Sequence, residues 1–417
     1  MKVNRLTRWD SVWLLGLVLA VCLGAAALAG EGVAGKAPAK GPAPATGAPL
    51  SAWNSFRGPA SGAGIAGTAL VDDLSTAKLL WKTMGMRGGS GSPAAGEGKV
   101  VIVSGICYCL DGETGKLLWQ TKDYGSEEDS KHGTPAIAHG KVIALLGRRP
   151  ACLDLATGKE LWRTDKNIDP KQINASPVVV NGIAVFSSSE SLRGYDVATG
   201  KELWSQPKAV EGWNSANCSP ALWAKDGVAY ILNTAGDKDD TRVVCTDAKT
   251  GNIMWTIKAG GGAPLQTPAV ANDIMVKNYK AWKLSPDKAE KLWEKDLGKG
   301  TAASPVIANG CVFTQSMKTL SCLKLETGDV LWQQENGTWN GENEFSSPIA
   351  ADGKVFMLTG NGGSVRMFAA SPTLKLMGKQ DVGCEAFSSP AIADGKLYFH
   401  LGSQYDGGVS CYDLRKK

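Results

Sequence analysis

The sequence predicts an all-β fold, namely an eight-bladed β-propeller of four-stranded antiparallel blades. Three observations carry this prediction: a Ser-Pro or Thr-Pro pair that recurs eight times, a turn ending in Gly after most of these pairs, and a motif that ends in Trp. Self-similarity at a period of roughly 40 residues is typical of repeat architectures such as propellers. The prolines are 37 to 48 residues apart, at positions 93, 135, 177, 220, 268, 305, 348 and 390.

Each repeat begins with two short apolar strands joined by a hairpin turn. An apolar run follows the proline, then a dipeptide ending in Gly, then a second apolar run such as residues 141–146. Asn-Gly and Asp-Gly are the strongest short-range hairpin signal, because both central residues of a type I′ turn need positive φ. The turns are His139-Gly140, Asn181-Gly182, Asp226-Gly227, Asn309-Gly310, Asp352-Gly353 and Asp394-Gly395.

The second half of each repeat predicts a third strand, a Thr-Gly turn and a fourth strand that carries Trp. The motif Asp111-x-x-Thr114-Gly115-x-x-x-Trp119 recurs in the next three repeats, and weaker copies supply the other tryptophans. An indole on the outermost strand can cover the gap to the next blade and donate its N–H to a carbonyl there. Met377 takes the Trp position in the seventh repeat, which predicts a weaker contact between two blades. The predicted docking residues are Trp81, Trp119, Trp162, Trp204, Trp255, Trp293 and Trp332.

The two ends of the repeat region are predicted to share one blade. The last repeat stops at Asp413-Leu414, before any fourth strand, while the strand around Trp81 (78–84) precedes the first Ser-Pro pair. We therefore expect the N-terminal strand to complete the eighth blade, which closes the ring and removes its open edges.

The first 50 residues are predicted to precede the propeller, which spans 51–417. Residues 1–29 have the basic start, the apolar run and the small-x-small site of a signal peptide, and 30–50 form an Ala/Pro/Gly-rich linker. A retained membrane anchor and lipidation of Cys22 are the alternatives. The chain is therefore predicted to be exported to the periplasm or cell envelope, with membrane association left open, and to have no integral membrane span after cleavage.

Charge and motifs exclude several classes of function. The net charge of +5 is small and no long Lys/Arg cluster occurs, which argues against nucleic acid as a partner. The three histidines, His132, His139 and His400, lie in no recognisable metal-binding or hydrolase motif. We expect a monomeric propeller without catalytic groups, metal or cofactor.

Most cysteines are predicted to be small core residues and not disulfides. Cys109, Cys152, Cys245 and Cys322 each stand five residues before the Thr of a Thr-Gly turn, and Cys411 has the same position in the last repeat. Equivalent positions in neighbouring blades should lie farther apart than the roughly 7 Å between Cα atoms that a disulfide allows. These residues therefore indicate a buried slot in the third strand.

The repeat resembles that of the pyrroloquinoline-quinone (PQQ) family, whose docking pattern is Ala-x-Asp-x-x-Thr-Gly-x-x-x-Trp. The resemblance covers about residues 79–417, and the chain is similar to the compact, BamB-like exported members of the quinoprotein-like superfamily. Residues 53–59, Trp-Asn-Ser-Phe-Arg-Gly-Pro, resemble a short motif of such proteins from planctomycete-type bacteria. The resemblance implies a scaffold that binds a protein partner, as in outer-membrane assembly.

The enzymes that share this repeat supply the rival hypothesis, a PQQ- and Ca²⁺-dependent oxidoreductase. Such enzymes hold the quinone in a central funnel over a ring formed by two adjacent cysteines, with Glu, Asn and Asp around the metal. Here the nearest cysteines are Cys107 and Cys109, and no Ca²⁺ trio can be matched. A shared repeat does not carry its cofactor with it. A carbohydrate- or small-ligand-binding propeller is the third hypothesis.

Binding is expected on the face that carries the longer loops. Residues just before each Ser/Thr-Pro pair should line the funnel mouth, and tryptophans outside the docking register are candidate anchors. Leu192 and Arg193 are proposed only because BamB-like proteins hold partners through loops of this face. The candidate residues for partner or ligand binding are His132, Asn174, Leu192, Arg193, Trp213, Asn217, Gln266, Trp339, Glu344, Phe345 and Phe387.

Overall fold

The computed structural model confirms an eight-bladed β-propeller of four-stranded antiparallel sheets. It describes residues 54–59, 61–62, 69–125, 133–168, 174–210, 214–236, 240–260, 265–298, 300–316, 319–335, 346–359, 363–382, 388–402 and 407–416. The predicted signal peptide (1–29) and linker (30–50) lie outside these residues.

The first strand of the chain is β1 (Lys78–Met86), and the blades follow in order. Blade 1 contains β2 (Ala94–Gly96), β3 (Lys99–Ser104), β4 (Ile106–Asp111) and β5 (Leu117–Gln120). Blade 2 contains β6 (Ala136–Ala138), β7 (Lys141–Leu146), β8 (Arg149–Asp154) and β9 (Glu160–Arg163). Blade 3 contains β10 (Val178–Val180), β11 (Ile183–Ser187), β12 (Leu192–Asp196) and β13 (Glu202–Gln206). Blade 4 contains β14 (Ala221–Lys225), β15 (Val228–Ala235), β16 (Arg242–Asp247) and β17 (Ile253–Lys258).

The second half of the ring repeats this arrangement. Blade 5 contains β18 (Ala269–Ala271), β19 (Ile274–Lys277), β20 (Lys280–Leu284) and β21 (Ala289–Glu294). Blade 6 contains β22 (Val306–Ala308), β23 (Cys311–Gln315), β24 (Thr319–Lys324) and β25 (Val330–Glu335). Blade 7 contains β26 (Ile349–Ala351), β27 (Lys354–Thr359), β28 (Ser364–Ala369) and β29 (Leu376–Asp381). Blade 8 contains β30 (Ala391–Ala393), β31 (Lys396–Leu401) and β32 (Gly407–Asp413).

Helical structure is confined to three short segments among the described residues. Two are 3-10 turns, at Leu74–Thr76 and Pro207–Ala209, and one is a single α-helical turn at Asn214–Asn217. A helix that could span the bilayer is absent from the part of the chain that the structure describes.

The N-terminal strand closes the ring as predicted. β1 pairs antiparallel with β32, from Lys78 opposite Asp413 to Met86 opposite Gly407. The chain just before this strand is also hydrogen-bonded to the C-terminal end of blade 8, since the N–H of Val71 donates to the carbonyl of Leu414 at 2.8 Å. Blade 8 is thus built from both ends of the repeat region.

The Ser/Thr-Pro pairs form a ring of hydrogen bonds around the central channel. At seven of the eight junctions, the backbone N–H of the Ser or Thr donates to the hydroxyl of its counterpart in the next blade, at 2.9 to 3.1 Å. The eighth junction, where the repeat interval is longest, differs: the hydroxyl of Thr267 donates to the carbonyl of Ser219 at 3.1 Å. The ring consists of Ser92, Thr134, Ser176, Ser219, Thr267, Ser304, Ser347 and Ser389, all buried.

The docking tryptophans join each blade to the next through their indole N–H groups. Six of the seven donate to a carbonyl of the following blade at 2.8 to 3.1 Å, as in Trp162 Nε1 to Val197 O. In five of the seven cases the ring also lies over a glycine of the Thr-Gly turn; for Trp162 this is Gly200. Glycine is therefore required there for two reasons, its positive φ and the absence of a Cβ beneath the indole.

Trp81 is the exception among the docking tryptophans. Its Nε1 is buried and has no hydrogen-bond partner among the described residues. The carbonyl that corresponds to those of the other blades, Gly112 O, accepts instead from the hydroxyl of Tyr398 at 3.2 Å. The Trp81 ring still packs over Gly115 and beside Tyr398, with ring centroids 6.0 Å apart.

A segment that precedes the repeats packs against the blade 7 strand that carries Met377. Met377 packs against the same apolar cluster as the buried Leu70 and Leu74. The 3-10 turn that contains Leu74 lies directly against Gly378 of β29. The chain before β1 therefore supplies apolar contacts where the seventh blade lacks an indole.

The five register-equivalent cysteines occupy the predicted buried slot of the third strand. Cys109, Cys152, Cys245, Cys322 and Cys411 are all free thiols and completely buried. The described cysteines at other positions, Cys107, Cys218 and Cys311, are also free and buried, while Cys22 and Cys384 lie outside the described residues. Burial raises the pKa of the Cys152 thiol to about 11, so it is a neutral core group at physiological pH.

The contact between indole and glycine can be measured with a matched pair of substitutions. Gly200→Ala places a Cβ 2.6 Å from the Trp162 ring at φ 73°, whereas Gly182→Ala, at φ 76°, meets no atom within 4 Å. We expect Gly182→Ala to cost about 1 kcal/mol through φ strain and Gly200→Ala roughly 1–3 kcal/mol more through overlap. Urea denaturation of both variants tests this, and equal losses of unfolding free energy would contradict the docking role of Gly200.

The hydrogen bond of the docking indole can be measured in the same way. Trp162→Phe keeps a ring but removes the 2.9 Å bond to Val197 O, whereas Trp81→Phe removes an N–H that has no partner. We expect Trp162→Phe to lower the free energy of unfolding by about 1 kcal/mol more than Trp81→Phe does. A loss for Trp81→Phe as large as that for Trp162→Phe would show that the indole N–H does not contribute.

Candidate functional site

Residues 54–59 and 61–62 lie across the central channel of the propeller. The N–H of Ile137 in blade 2 donates to Asn54 O at 2.7 Å, and the N–H of Ile307 in blade 6 donates to Gly62 O at 2.8 Å. Between these points the N–H of Leu222 in blade 4 donates to the hydroxyl of Ser61 at 2.9 Å. The donors lie on innermost strands on opposite sides of the ring, so this channel segment (54–59 and 61–62) spans the axis.

Arg57 is the buried anchor of the channel segment, with 1 % of its surface exposed. Nη1 donates to Thr267 O at 3.0 Å and Nη2 donates to Pro305 O at 2.6 Å, which bridges blades 5 and 6. Its Nε has no partner among the described residues. Burial lowers the pKa of the Arg57 guanidinium to about 9.

Backbone strain accompanies the burial of Arg57. Its φ is 62° and that of Ser61 is 46°, both in the left-handed region, where a residue with a Cβ loses roughly 1–2 kcal/mol. Gly58 and Gly62 adopt similar φ values of 78° and 82° without that penalty. The channel segment is thus held in place against a conformational cost.

A second buried cation lies next to the channel segment. Lys277 of blade 5 is fully buried and its Nζ donates to Gln266 O. The pKa of the Lys277 ammonium is lowered to about 8, mainly because the group is buried. Cys218 raises this pKa and the charge of Arg57 lowers it, both to a smaller extent. No Asp or Glu among the described residues is buried, so the buried charges beside the channel segment are cations.

Gln266, expected at the funnel mouth, is a buried structural residue instead. Only 1 % of its surface is exposed, since both ends of its side chain are bonded. Nε2 donates to Thr301 O at 3.3 Å, and Oε1 accepts from the N–H of Asn278 at 3.1 Å. Sequence register placed Gln266 just before the innermost strand of blade 5 but could not show that its side chain is buried.

Asn174 and Asn217, two of the residues predicted to line the funnel mouth, lie next to each other. Both are half-buried, and Asn174 Nδ2 donates to Asn217 Oδ1 at 2.5 Å. The backbone N–H groups of Asn174 and Ala175 both donate to Ala216 O. The two amides therefore form one polar group between blades 3 and 4.

Leu192 and Arg193 are placed differently from one another. Leu192 is completely buried in the core between blades, which removes it from the accessible surface. Arg193 is partly exposed and donates to Ile168 O at 3.0 Å, with Glu190 and Glu202 as ion-pair neighbours at 4.0 and 3.8 Å. Only Arg193 of this pair can reach a partner. The other candidates, His132, Trp213, Trp339, Glu344, Phe345 and Phe387, lie outside the described residues.

A small apolar cleft lies between blades 1, 2 and 3 in the part of the chain that the structure describes. The cleft is lined in part by Val103, Leu145 and Pro177 and has a volume of ≈ 10 Å³. That is about the space of one water molecule, far less than a sugar or a quinone needs.

The channel residues that the structure describes do not offer the ligands that a calcium ion needs. The chain itself crosses the channel, and the buried charges beside it are the cations Arg57 and Lys277. A calcium site needs several oxygen ligands, usually including carboxylates. Within the described residues, no cluster of three His, Cys, Asp or Glu side chains is arranged to hold a metal.

The structure adds an exposed apolar patch that the sequence analysis missed. Of 13 exposed large apolar side chains among the described residues, seven lie on or beside the outer strands of blades 7, 8 and 1. The sequence did contain a signal for such exposed residues, because an apolar residue stands directly before each docking Trp. Leu80, Leu118 and Leu203 share that position. We call this set the rim patch: Leu79, Leu80, Met84, Leu117, Leu118, Leu374 and Leu376.

His400 is a buried titratable group beside the Ser/Thr ring. Its Nδ1 donates to Gly91 O at 2.7 Å, next to Ser92, and its Nε2 has no partner among the described residues. Burial lowers the pKa of the His400 imidazole despite this hydrogen bond. The neutral imidazole therefore belongs to the folded state.

Comparison with known proteins gives two kinds of similarity. A family model described as outer membrane protein assembly factor BamB matches residues 66–212 and 190–417. Tetrathionate hydrolase of Acidithiobacillus ferrooxidans is 23 % identical over 63 % of this chain and 55 % of its own length. The chain thus spans about half the length of these curated relatives.

Solved structures with the same architecture include both an enzyme and an assembly factor. A quinohemoprotein alcohol dehydrogenase from Pseudomonas putida superposes with a TM-score of 0.65 at 15 % identity, over 88 % of this chain and 80 % of that one. BamB from Moraxella catarrhalis superposes with a TM-score of 0.61 at 14 % identity, over 80 % of this chain and 99 % of that one. At such identities the similarity shows the fold alone.

The pKa of His400 predicts an acid-sensitive stability. Because the folded-state pKa lies below the unfolded value of about 6.5, the unfolded chain takes up a proton first as pH falls. We expect the stability that the neutral His400 contributes to be complete above about pH 6.5 and to be lost as pH falls through the folded pKa. Comparing urea midpoints of the wild type and His400→Gln at pH 7.5 and 5 tests this, and an equal acid shift in both would contradict it.

Proposed function

We propose that this chain, which belongs to the family of the outer membrane protein assembly factor BamB, is a non-catalytic exported scaffold that binds another envelope protein. The observation that carries the proposal is the course of residues 54–62 through the channel. In the enzymes with this repeat the corresponding funnel holds the cofactor, whereas here the chain's own backbone and two buried cations occupy that space. Family membership supports the same function.

Two exposed regions are the proposed contact surfaces. On the loop face, the amide pair of Asn174 and Asn217 and the side chain of Arg193 remain available to a partner. On the circumference, the rim patch combines exposed leucines with Lys78 and Lys82, which form no ion pair with the described residues. Exposed apolar residues on neighbouring outer strands are of the kind that protein interaction sites use.

Affinity capture from the native envelope tests the scaffold function. Tagged full-length chain should recover one stoichiometric partner, and Leu80→Asp in the rim patch should lower its recovery by roughly tenfold if this patch is central. Leu203→Asp is the matched control, because Leu203 also precedes a docking Trp and is similarly exposed but lies outside the patch. Recovery of no partner would contradict the scaffold function. Equal recovery by the two variants would contradict the rim patch as the contact surface and leave the loop face as the proposed one.

Reconstitution separates the scaffold from the oxidoreductase. Pure protein incubated with PQQ and Ca²⁺ is expected to show no bound-quinone absorption and no dye-linked alcohol oxidation, because the channel segment lies across the channel. Saturable quinone binding with alcohol oxidation would overturn the non-catalytic proposal.

A further inference from the structure

The channel segment makes contacts of the kind that a bound peptide makes. Its backbone carbonyls at Asn54 and Gly62 and the hydroxyl of Ser61 accept N–H groups from the free edges of innermost strands. The N–H groups of such edges can bind the backbone of another segment, and side-chain pockets then supply specificity. Here the specific element is the pair of carbonyls at Thr267 and Pro305, which Arg57 occupies with two parallel donors.

The channel segment is also poorly optimised as a permanent part of the core. Arg57 and Ser61 hold left-handed backbone conformations, and Nε of Arg57 is buried without a partner among the described residues. Among the described residues, the guanidinium donates to two neutral carbonyls and to no carboxylate. A buried charge with incomplete partners is a weak contributor to stability. These features are characteristic of a segment that binds in competition with something else.

We propose that the central channel is a peptide-binding site whose resident ligand is the chain's own segment 54–62. The competing ligand is a segment of a partner protein that carries an arginine followed by glycine and forms the same turns. Arginine fits the two carbonyls because its fork offers two donors at once, which lysine cannot match. Glycine is needed after the arginine because φ at Gly58 is 78°, and again at Gly62, where a Cβ would collide with the guanidinium.

This site is separate from the loop face and the rim patch. Its donors and acceptors come from the innermost strands of blades 2, 4, 5 and 6, through Ile137, Leu222, Thr267, Pro305 and Ile307. The inference therefore does not rest on the scaffold proposed above. A partner captured through the rim patch would leave it unaffected.

The test converts the resident segment into an exchangeable one within the full-length protein. A specific protease sequence is placed within residues 63–68, the folded chain is cut, and thermal melting confirms that the propeller persists. A fluorescein-labelled peptide of residues 53–62, WNSFRGPASG, is then titrated into cut and uncut protein while anisotropy is measured. Peptides with Arg57→Ala and Arg57→Lys are the matched controls.

The expected result is saturable binding to the cut protein, with release of the N-terminal fragment, and little binding to the uncut protein. The Arg57→Ala peptide should bind at least about tenfold more weakly, and the Arg57→Lys peptide should also be weaker, because each loses charge-assisted bonds to Thr267 O and Pro305 O. Unfolding on cleavage, failure of the fragment to exchange, equal binding of the alanine peptide, or equal binding to uncut protein would each overturn the proposal.

Discussion

The hydrogen-bonded ring of Ser and Thr residues is the constraint on which the rest of the propeller depends. Each repeat places one hydroxyl before a proline, and the eight residues bond in sequence until Ser389 donates to Ser92. Proline has no N–H to leave unsatisfied and holds the preceding residue extended, so the start of every innermost strand is aligned in the same way. The ring sets the diameter of the channel, and this diameter decides what the channel can hold.

Docking between blades follows from the same repetition, and its exceptions lie where the ends of the chain meet. Six indoles reach a carbonyl of the next blade, but Trp81 does not, because Tyr398 already donates to Gly112 O. Where Met377 replaces an indole, Leu74 and the turn around it supply apolar contacts instead. Closing the ring with a separate N-terminal strand therefore changes the contacts on both sides of blade 8.

Function depends on the inside of the channel more than on the repeats around it. The repeat is shared by an alcohol dehydrogenase and an assembly factor of similar architecture, so it does not distinguish between their chemistries. In this chain a nine-residue stretch ahead of the propeller crosses the axis and places Arg57 between blades 5 and 6. Its guanidinium donates to two backbone carbonyls, a contact of the kind by which proteins bind peptides, and our proposal of protein binding depends on this contact.

The sequence by itself determined the number of blades, the hairpin turns, the docking tryptophans, the buried cysteine slot and the closing strand. Each of these features is encoded by a short motif that recurs from repeat to repeat. A residue at the same position in all eight repeats therefore has the same structural neighbours in each blade. Only the tertiary structure showed that Gln266 and Leu192 are buried, that hydroxyls of the Ser/Thr pairs bond across blades, and that Arg57 lies in the channel. These contacts join residues up to 297 positions apart, and a single unrepeated segment such as 54–62 carries no periodic signal to reveal its partners.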